Sequence, residues 1–138
     1  MKKKRLIVVL LVAFLAVTLS GCNSKLSITQ TGSTAKISCK GASSGSMIDS
    51  QEYSVGKDRV VTIESSLDSG SLQIEFVQIY IPYSEDNDDN WVELGTVATV
   101  TVGPGAKENV ELPADDYILR VTTIGETTGT VKVSVNKK

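Results

Sequence analysis

The chain contains no histidine. That absence removes the commonest general base, the serine–histidine triads and every histidine-ligated metal centre. Only two cysteines are present, Cys22 and Cys39, too few for a tetrathiolate zinc site. Glycine-rich phosphate cradles are missing as well, because Gly103-Pro104-Gly105 has neither the required lysine nor a following helix. No serine–lysine pair sits on a predicted helix, and no helical periodicity of useful length occurs after residue 21. Carboxylates are plentiful, but glycoside hydrolysis also needs a deep cleft, which a small sandwich rarely offers. The expectation is therefore a protein without catalysis. The alternative is a small hydrolase that uses carboxylates.

Positive charge is scarce where it would matter. Four of the 14 basic residues are Lys2, Lys3, Lys4 and Arg5, whereas all 16 acidic residues follow residue 21. Ten basic against 16 acidic residues leaves that part at −6. The count predicts no basic patch for nucleic acid and repulsion from an anionic lipid surface.

What is present begins with the N-terminus. The four basic residues precede an apolar run from Leu6 to Leu19, interrupted only by Thr18. That run has the length of a signal-peptide core and is short for a bilayer span of about 20 residues. Leu19-Ser20-Gly21-Cys22 then places small residues before a cysteine. The whole segment resembles the signal peptide and lipobox of bacterial lipoprotein precursors. The resemblance implies cleavage before Cys22, diacylation of its thiol, and an anchor at the extracytoplasmic face of the cell membrane. Two acyl chains anchor stably, since each buried methylene contributes about 0.8 kcal/mol. Residues 1–21 are thus expected to be a signal-peptide helix, 22–25 the lipidated cysteine and a short tether, and 26–138 one domain. With Cys22 acylated, Cys39 has no disulfide partner, and stability must come from burial. Strand-like sequence starts at Leu26, which keeps the domain close to the membrane.

Past the tether, alternation has period two. Ala35, Ile37 and Cys39 share a face, as do Val61 and Ile63. Tyr117, Leu119 and Val121 alternate with Ile118, Arg120 and Thr122, and Val131, Val133 and Val135 with Lys132, Ser134 and Asn136. These read as half-buried strands. Asp68-Ser69-Gly70, Gly103-Pro104-Gly105 and Gly125 to Gly129 read as turns between strands. The prediction is all-β: a single antiparallel, jelly-roll-like sandwich. One run is irregular. Leu72, Ile74 and Phe76 have one parity; Val77, Ile79 and Ile81 have the other. A β-bulge at Phe76-Val77 would keep both sets inward. The alternatives are a strand buried on both sides, or one that bends between sheets.

Two blocks carry a further resemblance. They are Gly56 to Ile63 followed by Ser69 to Ile74, and Leu112 to Val121 followed by Gly129 to Val133. Both resemble small secreted jelly-roll sandwiches of the carbohydrate-binding-like kind, and domains appended to secreted peptidases. Asp116 stands where such motifs often carry glycine. The resemblance implies a sandwich fold.

The densest polar feature is Glu85-Asp86-Asn87-Asp88-Asp89-Asn90. Calcium takes six to eight hard oxygens, and Glu85, Asp86, Asp88, Asp89 and Asn90 are the candidate ligands. The EF-hand template fails, since Trp91 falls where it needs glycine and Val97 where it needs glutamate. The plainer reading is a solvated acidic hairpin loop. Tyr80, Tyr83 and Trp91 are candidates for an aromatic platform under a sugar ring; otherwise Trp91 packs at the edge of the core. Tyr80 has the parity of polar neighbours and is the better exposed candidate. Cys39 reads as a buried thiol, and Asp115-Asp116 as shaping the turn before Tyr117. Together these features suggest a lipid-anchored binding or assembly module for glycan or calcium. The alternative is an interaction subunit that docks a protein partner at the membrane.

Overall fold

Alternating runs rich in valine, isoleucine and threonine suit a pleated, half-buried surface, and they become strands. The computed structural model describes residues 25–82 and 91–138. The expected signal-peptide helix and Cys22 lie outside these residues. Among the described residues there are eight strands and no helix: β1 (Leu26–Thr31), β2 (Thr34–Ala42), β3 (Met47–Asp49), β4 (Tyr53–Val55), β5 (Arg59–Tyr80), β6 (Val92–Val102), β7 (Lys107–Val110) and β8 (Asp115–Lys137). All pair antiparallel.

β5 and β8 have 22 and 23 residues, several times the usual strand length. They pair from Arg59 opposite Lys137 to Gln78 opposite Tyr117. The sequence puts turns at Asp68-Ser69-Gly70 and at Gly125 to Gly129; the structure instead runs both strands through these points. The glycines serve a bend. Register shifts fall between Leu67 and Ser69 and between Ser69 and Ser71. Gly70 has φ 78° and Gly129 φ 126°. A Cβ on Gly70 would lie 2.5 Å from the Glu126 carbonyl oxygen, and one on Gly129 2.5 Å from Leu67 Cα. Only glycine allows that approach. Positive φ is the shared requirement of turns and bulges, which is why the sequence suggested turns.

The crease folds one hydrogen-bonded sheet into two layers. The first layer is β1, β2, the C-terminal half of β8, the N-terminal half of β5, and β7. The second is β3 and β4, the N-terminal half of β8, the C-terminal half of β5, and β6. Between them Ile63 lies opposite Val133, Ile74 opposite Val121 and Phe76 opposite Leu119, all fully buried. Ala35, Ile37 and Cys39 line the same core, as their parity predicts. The Tyr53 hydroxyl on β4 lies 3.0 Å from the Ser33 carbonyl and 3.1 Å from that of Val133, bridging the layers. Tyr117 donates at 2.6 Å to the Pro113 carbonyl four residues back, fixing the entry to β8.

The parity switch in β5 resolves against a bulge in that strand. Its register with β8 is unbroken from Ser71 to Gln78. The extra residues are in β6, which passes over Val97 and Leu94 as it pairs with Phe76 through Ile79. β5 is therefore buried on both faces here. Phe76 points into the main core; Val77 and Ile79 join Ile118 in a second cluster, packed by Ile81 and Trp91. Ile118, which alternation groups with the polar Arg120 and Thr122, is fully buried there.

Candidate functional site

β1 leaves Leu26 opposite Cys39, Cys39 opposite Gly129, and Gly129 opposite Leu67. Residue 25 therefore sits at the crease, where its carbonyl accepts a 2.9 Å bond from the Lys40 amide. β5 climbs away from the crease and ends at Tyr80, nine residues past Ser71, or about 30 Å at the usual strand rise. The β5–β6 hairpin is thus at the end of the sandwich opposite the start of β1.

At that end, apolar side chains meet solvent. Tyr80 is 57% exposed and pairs with Val92, 51% exposed; Leu94 and Val97 follow at 57% and 42%. Among the described residues β6 pairs only with β5, so these residues lie on an edge strand. Its two bulges disrupt what would be a flat template for a further strand. Trp91 immediately precedes β6 and packs half-buried on Val77, Ile79 and Ile118. The structure thus brings Tyr80 and Trp91 to one hairpin in different roles. Tyr80 is open and Trp91 holds the hairpin against the sheet.

An ion network braces the outer face behind the hairpin. Arg120 on β8 bonds Asp49 on β3 through Nε at 2.9 Å and Nη2 at 3.1 Å. It also bonds Glu93 on β6 at 2.7 Å. These bonds, to Asp49 first and then Glu93, raise the guanidinium pKa further above its already high value. Arg120 thereby ties three strands at the root of the hairpin.

Asp115 and Asp116 begin β8 rather than forming the turn before it. Asp115 accepts from the Gln78 amide and from the Asp116 backbone amide at 2.8 Å, and Ser54 donates to Asp116 at 2.7 Å. Both carboxylates are engaged in holding the strand entry. Among the described residues, no three acidic, cysteine or histidine groups are placed to hold a metal. Tyr83, Glu85, Asp86, Asn87, Asp88, Asp89 and Asn90 lie outside the described residues, and with them the calcium ligand set. Cys39 is buried, and desolvation pushes its thiol up from 9.0 to about 11.

Basic residues are scarce, yet strand pairing gathers four of them. Lys57, Arg59, Lys137 and Lys138 line a single hollow of about 450 Å³ with Asp58, so a basic patch does exist. The residues fall in two stretches nearly eighty positions apart. Only the pairing of Arg59 with Lys137 unites them, a register that composition does not reveal. A second hollow of about 300 Å³ is lined by Lys36, Glu64, Ser66, Thr130 and Lys132. Neither hollow holds the paired carboxylates used in glycoside hydrolysis.

No protein-family model matches the chain, and no curated protein matches it. Solved structures do. One described as "CBM4 structure and function" aligns with TM-score 0.40 at 14% identity, over 82% of this chain and 78% of that one. A mutant of Xylanase10C from Cellvibrio japonicus in complex with xylopentaose aligns with TM-score 0.28 at 18% identity, over 80% of this chain and 24% of that one.

Proposed function

We propose that this chain is a non-catalytic binding module, held at the extracytoplasmic face of a bacterial membrane by lipid on Cys22, and that it binds glycan at its hairpin end. Tyr80 carries the binding part of this reading. It is an exposed aromatic at the end of a strand packed on both faces, with Val92 opposite it. A flat apolar ring with a polar tip suits the C–H face of a sugar and its rim of hydroxyls. The acidic run Glu85 to Asn90 lies between Tyr80 and Trp91 in the sequence, so calcium enters the same experiment.

The mature lipoprotein, extracted in detergent, is titrated with a panel of glycans, with and without calcium, while its melting temperature is followed. A ligand that binds only the native state must raise that temperature. At least one glycan is expected to do so, and Tyr80→Ala is expected to abolish the shift without altering the unliganded protein. If no glycan and no calcium addition moves the transition, the reading fails. The anchor has its own test. Cys22→Ser is expected to lose incorporation of an alkynyl fatty acid and to leave the membrane fraction.

A second reading, docking of a protein partner, is favoured by Leu94 and Val97. These apolar side chains are exposed on β6, which among the described residues pairs only with β5. A photo-crosslinking residue at position 94 in living cells tests it, and recovery of monomer alone would count against docking there.

A further inference from the structure

The hollow between the β4–β5 turn and the end of β8 is unlike the rest of this acidic molecule. Four cationic side chains, Lys57, Arg59, Lys137 and Lys138, surround it against one side-chain carboxylate, Asp58. They are four of the ten basic residues that follow the leader. Their juxtaposition is built into the backbone. Arg59 pairs with Lys137 in the β5–β8 ladder, and the Lys138 amide donates to the Asp58 carbonyl at 3.2 Å. Asp58 sits in the left-handed region at φ 57°, which turns the chain sharply from β4 into β5. Arg59 is half-buried and folds back over Gly56, with Cγ 3.8 Å from where a Cβ would be. Its stem is thus supported, and its planar fork is partly pre-organised for a tetrahedral oxyanion.

These cations are mostly unspent. Lys138 pairs with Glu111 at 3.5 Å; among the described residues, Lys57, Arg59 and Lys137 have no carboxylate within ion-pair distance. The second hollow makes the contrast. There Glu64 lies inside the hollow and pairs with Lys132 at 3.7 Å, so that lysine's charge is answered from within.

We propose that the hollow bounded by Lys57, Arg59, Lys137 and Lys138 is a binding site for a soluble ligand that carries several phosphate groups. The volume exceeds what one tetrahedral oxyanion fills, and the cations come from two separate segments, so a multivalent ligand engages both. Eight residues separate the Leu67 row at the crease from the Arg59 row, about 26 Å of strand. If the tether leaves from the crease, as the proposed anchoring requires, the hollow is out of reach of the headgroups of its own bilayer. The ligand site itself stands whether or not that anchoring holds.

The test is an amide-resolved NMR titration of the mature protein in zwitterionic detergent with inorganic tripolyphosphate, beside a titration with anionic phosphatidylglycerol vesicles. Tripolyphosphate is expected to give saturable shifts confined to residues 56–60 and 136–138, weakening as salt is raised. Arg59→Gln with Lys137→Gln is expected to weaken binding at least fivefold, and Lys57→Gln with Lys138→Gln at least threefold. Lys36→Gln with Lys132→Gln, in the second hollow, is expected to leave it unchanged. Because two independent pairs are altered, misfolding of one leaves the other to decide. Shifts spread evenly over all lysines, no saturation, or loss of binding in the Lys36 and Lys132 pair would overturn the site. A stronger response to vesicles than to tripolyphosphate would overturn its assignment to a soluble ligand. None of these outcomes depends on glycan binding at Tyr80.

Discussion

Gly70 and Gly129 stand where two backbones touch, and they carry more of the fold than their size suggests. An alanine at position 129 would meet Leu67 and the Ser66 carbonyl, while also forcing a side chain into positive φ. Gly129→Ala is expected to cost about 3 kcal/mol in urea denaturation. Gly105 has φ 73° but open space around its Cα. Gly105→Ala is therefore expected to cost only about 1 kcal/mol, the backbone penalty alone. Equal costs would contradict the crease as a site of close approach. Cys39 makes a pH prediction. Burial raises its thiol from 9.0 to about 11, so the folded state resists forming the thiolate. The Cys39 contribution to stability is then level below pH 9 and falls as pH rises toward 11. Tyr53 and Tyr117 are pushed up by burial as well and add to the fall. Cys39→Ala is expected to make the decline between pH 9 and 11 shallower, measured by urea midpoints across that range. An unchanged slope would mean that Cys39 contributes nothing.

At the scale of elements, β5 and β8 behave as strands with two buried faces near the hairpin and one elsewhere. Ile118→Ala is expected to destabilise by about 3 kcal/mol, because it empties the small cluster under Trp91. Thr122→Ala, on the same strand and of the same parity, is expected to stay within about 0.5 kcal/mol. Chemical denaturation distinguishes the two. That contrast also marks how much of the fold is legible in the sequence. Alternation located Ala35, Ile37, Cys39, Val61, Ile63, Val131 and Val133 correctly, since one-sided burial imprints period two. It could not assign Ile118, whose partners Val77, Ile79, Ile81 and Trp91 come from distant parts of the chain. The crease was visible only as glycines, and glycine marks a sharp turn and a bulge alike. At the hairpin, Tyr80 was legible as an exposed aromatic from its parity. Leu94 and Val97 were not, because the bulges that expose them depend on how β6 pairs with β5. The basic hollow was hidden for the same reason: sequence separates what strand register joins.

On the scale of the whole molecule, topology sets a polarity. The start of β1 lies at the crease, whereas Tyr80, Leu94 and the basic hollow lie toward the other end. If Cys22 is lipidated, the three residues Asn23 to Lys25 are the only tether, and they reach about 10 Å when extended. The sandwich would then hang by its crease, with its proposed binding surfaces directed away from the bilayer. An acidic body held so close is also repelled by anionic lipid, which favours this upright pose. The most direct measurement places a nitroxide at Leu94→Cys or at Lys40→Cys in the Cys39→Ala background. The lipidated protein is reconstituted in liposomes, and depth is read by power saturation with aqueous and lipid-soluble relaxants. A label at position 40 is expected near the headgroups and a label at position 94 fully in water, about 25 Å beyond. Equal depths at the two positions, or a deeper label at position 94, would contradict it.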